Sequence, residues 1–308
     1  MGRVLAADIG GTNCRLALFE QGRLVDRGRF PTAGPGLAEV ALGFLAGRGI
    51  DGAGIAVAGP VAEGRARLTN HHWSFDEREL GEELDAPAVL LNDFGAAVRG
   101  IPALPDRGWR HLAGPAPDRL ATVVAVGPGT GLGQASLVRA AGTWTILPGE
   151  AGHADLAPGC LHDLTTWRSL HARHGHVSWE RVLSGPGLLA LHEARRAAGL
   201  AGDPATHPAD VTSGTDPAAR AAVGDFLRLL GAFAGNAALT FVPRGGVWLC
   251  GGIVPRLADR LGTVVEAFVD KGRLRHVVEG VPLAVVHDDD LGLHGAAAAA
   301  RDLASAVS

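Results

Sequence analysis

Three glycine-rich turns are the first places in this sequence where chemistry could occur: Ile9-Gly-Gly-Thr-Asn13, Gly127-Pro-Gly-Thr-Gly-Leu-Gly133 and Gly251-Gly252. Each follows an apolar run that reads as a buried strand. Glycine turns expose backbone N–H groups that can converge on phosphate oxygens with no side chain in the way, and threonine adds a hydroxyl donor. Gly10, Gly11 and Thr12, then Gly129, Thr130 and Gly131, then Gly251 and Gly252 are therefore candidate nucleotide contacts, the last pair at the start of an expected helix. One such turn is common in hairpins, whereas three of them strengthen the case for phosphate. Asp8 ends the first strand. It could hold magnesium, directly or through water, or it could cap the turn amides.

The remaining polar candidates each have a structural reading. Asp93 follows the strand Ala88–Leu91 and opens a short helix, where Asn-Asp suits N-capping. Glu150 and His153 have a spacing that could suggest metal ligation on a helix, but Pro148-Gly149 and Gly152 favour a loop presenting two polar side chains. Glu180 follows Ser178, an expected N-cap, and fits a first-turn carboxylate favoured by the helix dipole. His171-Ala-Arg-His-Gly-His176 is dense enough for a metal, yet it ends an amphipathic helix, where histidine followed by glycine is ordinary. His287-Asp-Asp-Asp290 could bind a cation, but capping of the terminal helix is the favoured reading.

These residues need strands and helices to place them. Residues 3–8, 14–20 and 23–30 form an opening meander, Gly36–Arg48 has helical spacing, and Gly54–Ala58 returns as a strand. Pro, Gly and Ala dominate Pro102–Arg119, which is read as a domain boundary or hinge. The opening device then recurs, with a strand at 121–126, a glycine turn and a return strand at 134–139. Asp216-Pro217 starts a long apolar helix to about Leu239, and Val247–Cys250 is a strand. Pro255–Val269 is a helix, Pro282–Val286 the last strand, and Gly292–Ala306 an alanine-rich terminal helix. This alternation is that of an α/β protein.

Composition excludes several mechanisms. The chain has 308 residues, enough for two domains, and its 28 Lys+Arg include a single lysine, Lys271. Lys271 lies in Asp-Lys-Gly-Arg, outside any Gly-Lys-Ser/Thr turn, so a Walker-type kinase is excluded; protein kinase and pyridoxal chemistry, which need a lysine elsewhere, are disfavoured. Phosphate would have to be held by amides, arginine or a metal. A net charge of −4 and a pI near 6.3 give no reason to expect nucleic acid. The missing tyrosine and the excess of Ala and Gly read as codon bias. Cys14, Cys160 and Cys250 form neither a disulfide framework nor a zinc motif, which fits a reducing cytoplasm. No apolar run approaches the roughly 18 residues of a membrane span, and the N-terminus lacks a signal-peptide pattern, so a soluble, unsecreted protein is expected.

In order along the chain, Leu5-Ala-Ala-Asp-Ile-Gly-Gly-Thr-Asn13, Thr69-Asn-His-His-Trp73, Leu91-Asn-Asp-Phe94, Gly127–Gly133, Leu147-Pro-Gly-Glu-Ala-Gly-His153, Glu180-Arg-Val-Leu-Ser-Gly-Pro-Gly187, Gly251-Gly-Ile-Val-Pro-Arg256 and Asp270-Lys-Gly-Arg273 resemble the bacterial glucokinase family. The resemblance runs from the first strand to the last helix. It implies an α/β fold of two actin-like, ribonuclease-H-like ATPase domains with an interdomain cleft. The smaller domain would be residues 1–103 completed by 292–308, and the larger 104–291. It further implies ATP-dependent, magnesium-assisted phosphorylation of glucose in the cytoplasm by a homodimer, with no membrane or nucleic-acid partner and with domain closure around the sugar.

Carried over by residue, Asn92, Asp93, Glu150, His153 and Glu180 line the glucose pocket, and Asp93 is the base on the 6-hydroxyl. Asp8 to Thr12 form the first phosphate motif, Gly129 to Gly131 the second, and Gly251-Gly252 the adenosine motif. Asn70, beside His71 and His72, falls near the sugar. The chemistry agrees with these types: carboxylates accept from sugar hydroxyls, histidine donates or accepts, and an in-line alcohol needs a proton acceptor. Pro128 and Gly292-Leu-His-Gly295 depart from the family pattern without touching the base or sugar residues. The related ROK family carries a cysteine-rich zinc motif that this chain lacks. A kinase for mannose or fructose, or a sugar-responsive protein of the same fold without phosphotransfer, are the alternatives; ADP or polyphosphate could replace ATP.

Overall fold

The structure is a computed structural model, and it describes residues 2–32, 34–68 and 73–307. The chain divides into two compact units, Met1–Gly108 with Asp288–Ser308, and Trp109–His287.

The first unit runs β1 (Arg3–Ile9), β2 (Asn13–Glu20), β3 (Arg23–Pro31), α1 (Leu37–Leu45), β4 (Gly52–Val57), β5 (Val61–Ala62), β6 (Arg65–Arg67), β7 (Ser74–Asp76), α2 (Glu77–Leu84), β8 (Ala88–Asn92) and α3 (Asp93–Gly100). Its main sheet has the order β3-β2-β1-β4-β8, antiparallel across the opening meander and parallel from β1 through β4 to β8. β5, β6 and β7 form a small antiparallel sheet.

Alternation along β1 explains its unbroken apolar run. Leu5, Ala7 and Ile9 join one core with Leu16, Leu18 and Ile55. Val4 and Ala6 meet Leu293, Ala296, Ala297 and Ala300 of the terminal helix, Leu291–Val307, on the other face. That second face is where the alanine and glycine content acquires a physical reason. A Cβ on Gly54 would lie 2.0 Å from the Ala296 carbonyl oxygen, and one on Gly295 would lie 1.7 Å from that of Ala96. Small residues are required there for the terminal helix to lie against β4 and α3, so codon bias alone does not account for the composition.

The second unit runs β9 (Trp109–Ala113), β10 (Val123–Pro128), β11 (Leu132–Ala140), β12 (Thr143–Gly149), α4 (Leu161–His174), α5 (Gly185–Ala197), α6 (Pro208–Ser213), α7 (Pro217–Phe241), β13 (Val247–Leu249), α8 (Gly262–Val269), α9 (Arg275–Glu279) and β14 (Leu283–Val286). Its sheet has the order β12-β11-β10-β13-β14-β9. The first five strands repeat the order and directions of the first unit, and β9 adds an antiparallel edge beside β14. In both units a glycine turn joins the central strand to its antiparallel neighbour.

Asp216 caps α7 by accepting from the Ala219 amide at 2.9 Å, and Pro217 follows it, as read from the sequence. Helix α5 is anchored to α7 by Arg195, whose guanidinium donates twice to buried Asp225 at 2.6 Å. Arg228 of α7 pairs with buried Asp163 of α4. These paired buried charges fix three helices relative to one another. The helix expected after the third glycine turn is corrected. The segment expected as one helix over 255–269 is a 3-10 stretch, Val254–Arg260, broken at Leu257, followed by α8, so Gly251-Gly252 does not open an α-helix. The Pro102–Arg119 segment contains strand β9, whose Trp109 ring lies 4.9 Å from that of Trp248.

Candidate active site

In the first unit, the turn between β1 and β2 is held by its own backbone. The Gly10 amide donates to the Asn13 carbonyl at 3.0 Å, and buried Thr32 donates its hydroxyl to the Gly11 carbonyl and its amide to the Thr12 carbonyl. Among the described residues the Gly11 and Thr12 amides donate to no protein group. The register places Asp8 opposite Arg15, and the Arg15 guanidinium binds the Asp8 carboxylate while also donating to the Asp289 carbonyl at 2.7 Å. Asp8 therefore does not cap the turn amides. Arg15 was missed from the sequence, although hairpin register alone would have paired it with Asp8. Gly292 leaves Asp8 room, since a Cβ there would lie 3.3 Å from its carboxylate.

At the end of β8 the capping is divided differently from the sequence reading. Asn92, not Asp93, is the N-cap of α3: its side-chain oxygen accepts from the Phe94 amide at 3.0 Å and the Gly95 amide at 3.3 Å. Its side-chain amide donates to the Gly59 carbonyl at 3.0 Å, tying α3 to the end of β4. Asp93 is the first helical residue and accepts from the adjacent Phe94 amide, at 2.8 Å, with a further side-chain bond to Asn92. Its side chain reaches solvent, yet the surrounding protein removes enough water to push its carboxyl up, with the negative charge of Asp8 adding to the rise. A carboxylate so placed is a stronger base than a free one. Asn70, His71 and His72 lie outside the described residues.

In the second unit, three predicted segments converge on the β10–β11 turn. The Gly129 amide donates to the Gly131 carbonyl at 2.7 Å, and the Gly129 carbonyl accepts from the Gly185 amide at 2.8 Å. The Thr130 and Gly131 amides donate to no protein group among the described residues. Glu180 lies in a 3-10 turn, Trp179–Arg181, and its carboxylate accepts from the Leu132 amide at 2.9 Å. Ser178 precedes that turn but makes no side-chain cap, so the expected serine-capped helix is absent.

Glu150 precedes and His153 ends a single 3-10 turn, Ala151–His153, rather than an α-helix, and both are exposed. Gly152 packs this turn onto the strand, because a Cβ there would lie 2.2 Å from the Leu132 carbonyl oxygen. Gly251, at φ +87°, closes on the same turn from the other side, where a Cβ would lie 2.5 Å from the Pro128 carbonyl oxygen. Gly252 follows it. A cavity of about 520 Å³ opens beside Thr130 and Glu180 and is lined also by Arg173, Arg181 and Arg196. The Cys14 thiol, behind the first turn, is pushed up to about 12 by burial and by Asp8, so it is inert. Among the described residues no group of three or more His, Cys, Asp or Glu could hold a metal ion, and no helix is long and apolar enough to cross a membrane.

Known proteins share this sequence and fold over nearly the whole chain. A glucokinase from Chromobacterium violaceum is 39% identical over 97% of this chain and 89% of its own length. One from Chromohalobacter salexigens is 40% identical over 95% of each. The crystal structure of a glucokinase from an Antarctic psychrotroph superposes with a TM-score of 0.90 at 32% identity, covering 98% of this chain and 99% of that one. The fold is that of the actin-like ATPases, shared also with a ROK family glucokinase from Streptomyces griseus at a TM-score of 0.66 and 20% identity. The family model described as Glucokinase matches residues 5–303, and the chain belongs to the glucokinase family.

Proposed function

We propose that this protein transfers the γ-phosphoryl group of ATP to the 6-hydroxyl of D-glucose, giving glucose 6-phosphate and ADP. The observation that carries the reading is the convergence at Leu132: its amide is bound by Glu180, its carbonyl is packed by Gly152 between Glu150 and His153, and it directly follows Gly129–Gly131. Groups suited to a polyol and groups suited to phosphate thus share one strand end. Asn92, Asp93, Glu150, His153 and Glu180 bind the sugar. Asp93 accepts the proton of the 6-hydroxyl as its oxygen bonds to phosphorus. The amides of Gly11, Thr12, Thr130 and Gly131 take the phosphate oxygens, and Gly251-Gly252 flanks the nucleoside. The cavity beside Thr130 has the volume of a small-molecule site.

Magnesium fits this donor set as a partner of the nucleotide. One carboxylate, Asp8, lies at the first turn and is already bound by Arg15. Asp8 would be the residue to hold such an ion, through water, with the nucleotide as its main partner. Its chemistry is to neutralise charge on the phosphates. The enzyme acts as a homodimer in the cytoplasm under this reading.

A donor-by-sugar matrix tests it: ATP, ADP and polyphosphate against glucose, mannose and fructose, with magnesium. Glucose 6-phosphate formed fastest from ATP is expected. Faster turnover of mannose or fructose would reassign the acceptor, and sugar-independent ATP hydrolysis would overturn phosphotransfer. Asp93→Ala is expected to abolish turnover while glucose binding stays measurable by calorimetry.

A further inference from the structure

Within the second unit, the residues assigned to sugar and to phosphate are joined by a closed ring of hydrogen bonds, and one buried hydroxyl completes it. The Glu180 carboxylate accepts from the Leu132 amide at 2.9 Å. The Glu180 carbonyl accepts from Ser184 Oγ at 2.7 Å, and the same Oγ accepts from the Gly187 amide at 3.1 Å, capping α5. The next residue, Gly185, donates its amide to the Gly129 carbonyl at 2.8 Å. From Gly129 the chain returns through the turn to Leu132.

Ser184 is 3% exposed, so water cannot replace either of its bonds. An N-cap with these two partners does more than begin a helix. It fixes the distance between Glu180, gripping one end of the turn, and Gly185, gripping the other. It also lines the cavity that holds Thr130 and Glu180. The single-turn helix of Glu180 has no side-chain cap of its own, which leaves Ser184 as the side chain bonded to its backbone among the described residues.

We propose that Ser184 is a positioning residue that couples Glu180 to the Gly129–Gly131 turn, so that sugar and nucleotide affinities depend on the same hydroxyl. The inference rests on the sugar and phosphate assignments above. Wild-type activity tests those assignments, and the Ser184 variants test the inference separately.

The experiment compares kcat and both KM values for wild type, Ser184→Ala, Ser184→Thr and Asp216→Ala. In Ser184→Ala the KM for ATP and the KM for glucose rise together, each by about fivefold, the scale of one lost buried hydrogen bond. Ser184→Thr, which keeps the hydroxyl, restores both. Asp216→Ala removes a cap of the same kind from α7; the Asp216 carboxylate lies 4.0 Å from the buried His192 ring and, among the described residues, bonds to none assigned to sugar or phosphate, so its loss lowers the thermal midpoint without moving either KM. Should the alanine variant fail to fold, Ser184→Cys keeps the volume while weakening both bonds and is read in the same way. Unchanged KM values in Ser184→Ala, a shift in one substrate only, or a threonine variant as impaired as the alanine one would overturn the proposal.

Discussion

Gly152→Ala puts the packing argument for the sugar residues to a quantitative test. The added Cβ would stand 2.2 Å from the Leu132 carbonyl oxygen and 3.1 Å from that residue's carbonyl carbon and Cβ. The first obstacle is backbone in a paired strand, and the amide of the same residue is held by Glu180. The strand therefore stays and the Ala151–His153 turn moves. Restoring an ordinary contact of about 3.4 Å displaces that turn by about 1.2 Å, carrying Glu150 and His153 with it. Overpacking of this kind costs about 2 kcal/mol, which lowers the thermal midpoint by about 4–8 °C for a unit of this size. The catalytic penalty is larger: displacing ligands by about 1 Å costs on the order of 10²-fold, read here in kcat/KM for glucose by a coupled assay. Gly149→Ala is the control three residues away, since its Cβ would meet the Gln134 carbonyl oxygen at an ordinary 3.5 Å. A Gly152→Ala enzyme with the kcat/KM of Gly149→Ala would refute the assignment of this turn to the sugar.

Three further outcomes follow from two side chains. Burial and then Asp8 raise the Asp93 carboxyl; because the base must be ionised, kcat/KM for glucose falls with pH through a limb above the ordinary carboxylate range, and a limb within that range would contradict the assignment. The same shift favours folding below the unfolded carboxyl pKa and is lost as pH rises through the folded one, so Asp93→Asn raises the thermal midpoint at neutral pH and not in acid, measured by calorimetry. Lys271 donates to the Ala232 carbonyl and to Asn236 Oδ1, both at 2.9 Å, inside the second unit. Lys271→Arg should leave kcat and both KM values unchanged while lowering the thermal midpoint, because its longer side chain must fit a space that exists only because Gly235 has no Cβ, which would stand 2.4 Å from the lysine Cε; a large fall in turnover per folded enzyme would show that the phosphate grip is misassigned.

The parts of the fold and site that could be read from sequence are those set by local pattern. β1 and β10 stand out because they are apolar on both faces, and the turns after them stand out because glycine and threonine interrupt the run. What escaped depends on distant partners. β9 is five residues of mixed polarity whose pairing to β14 arises more than a hundred residues later. Asn92 and Asp93 are both good caps by type, and only the backbone at the end of β8 decides that Asn92 takes the role, freeing Asp93 from it. The bond from Glu180 to the Leu132 amide spans 48 residues, and no spacing rule predicts it.

The single lysine also takes on a different meaning once its bonds are known. Lys271 is lodged against α7, with its ammonium pushed down by burial, so even the one lysine present is committed to structure. The cations beside the candidate groups are arginines: Arg15 binds Asp8, and Arg173, Arg181 and Arg196 line the cavity. The two turns themselves are made rigid by bonds that use some of their groups and leave others open: Gly10 and Gly129 donate internally, whereas among the described residues Gly11, Thr12, Thr130 and Gly131 do not. Amides held in this way are aimed before any ligand arrives and need no reorganisation when charge develops on phosphate oxygens. A mobile ammonium offers charge without that fixed direction. A fold that orients its donors through backbone bonds can therefore dispense with a phosphate-binding lysine, and a composition almost free of lysine costs this chemistry little.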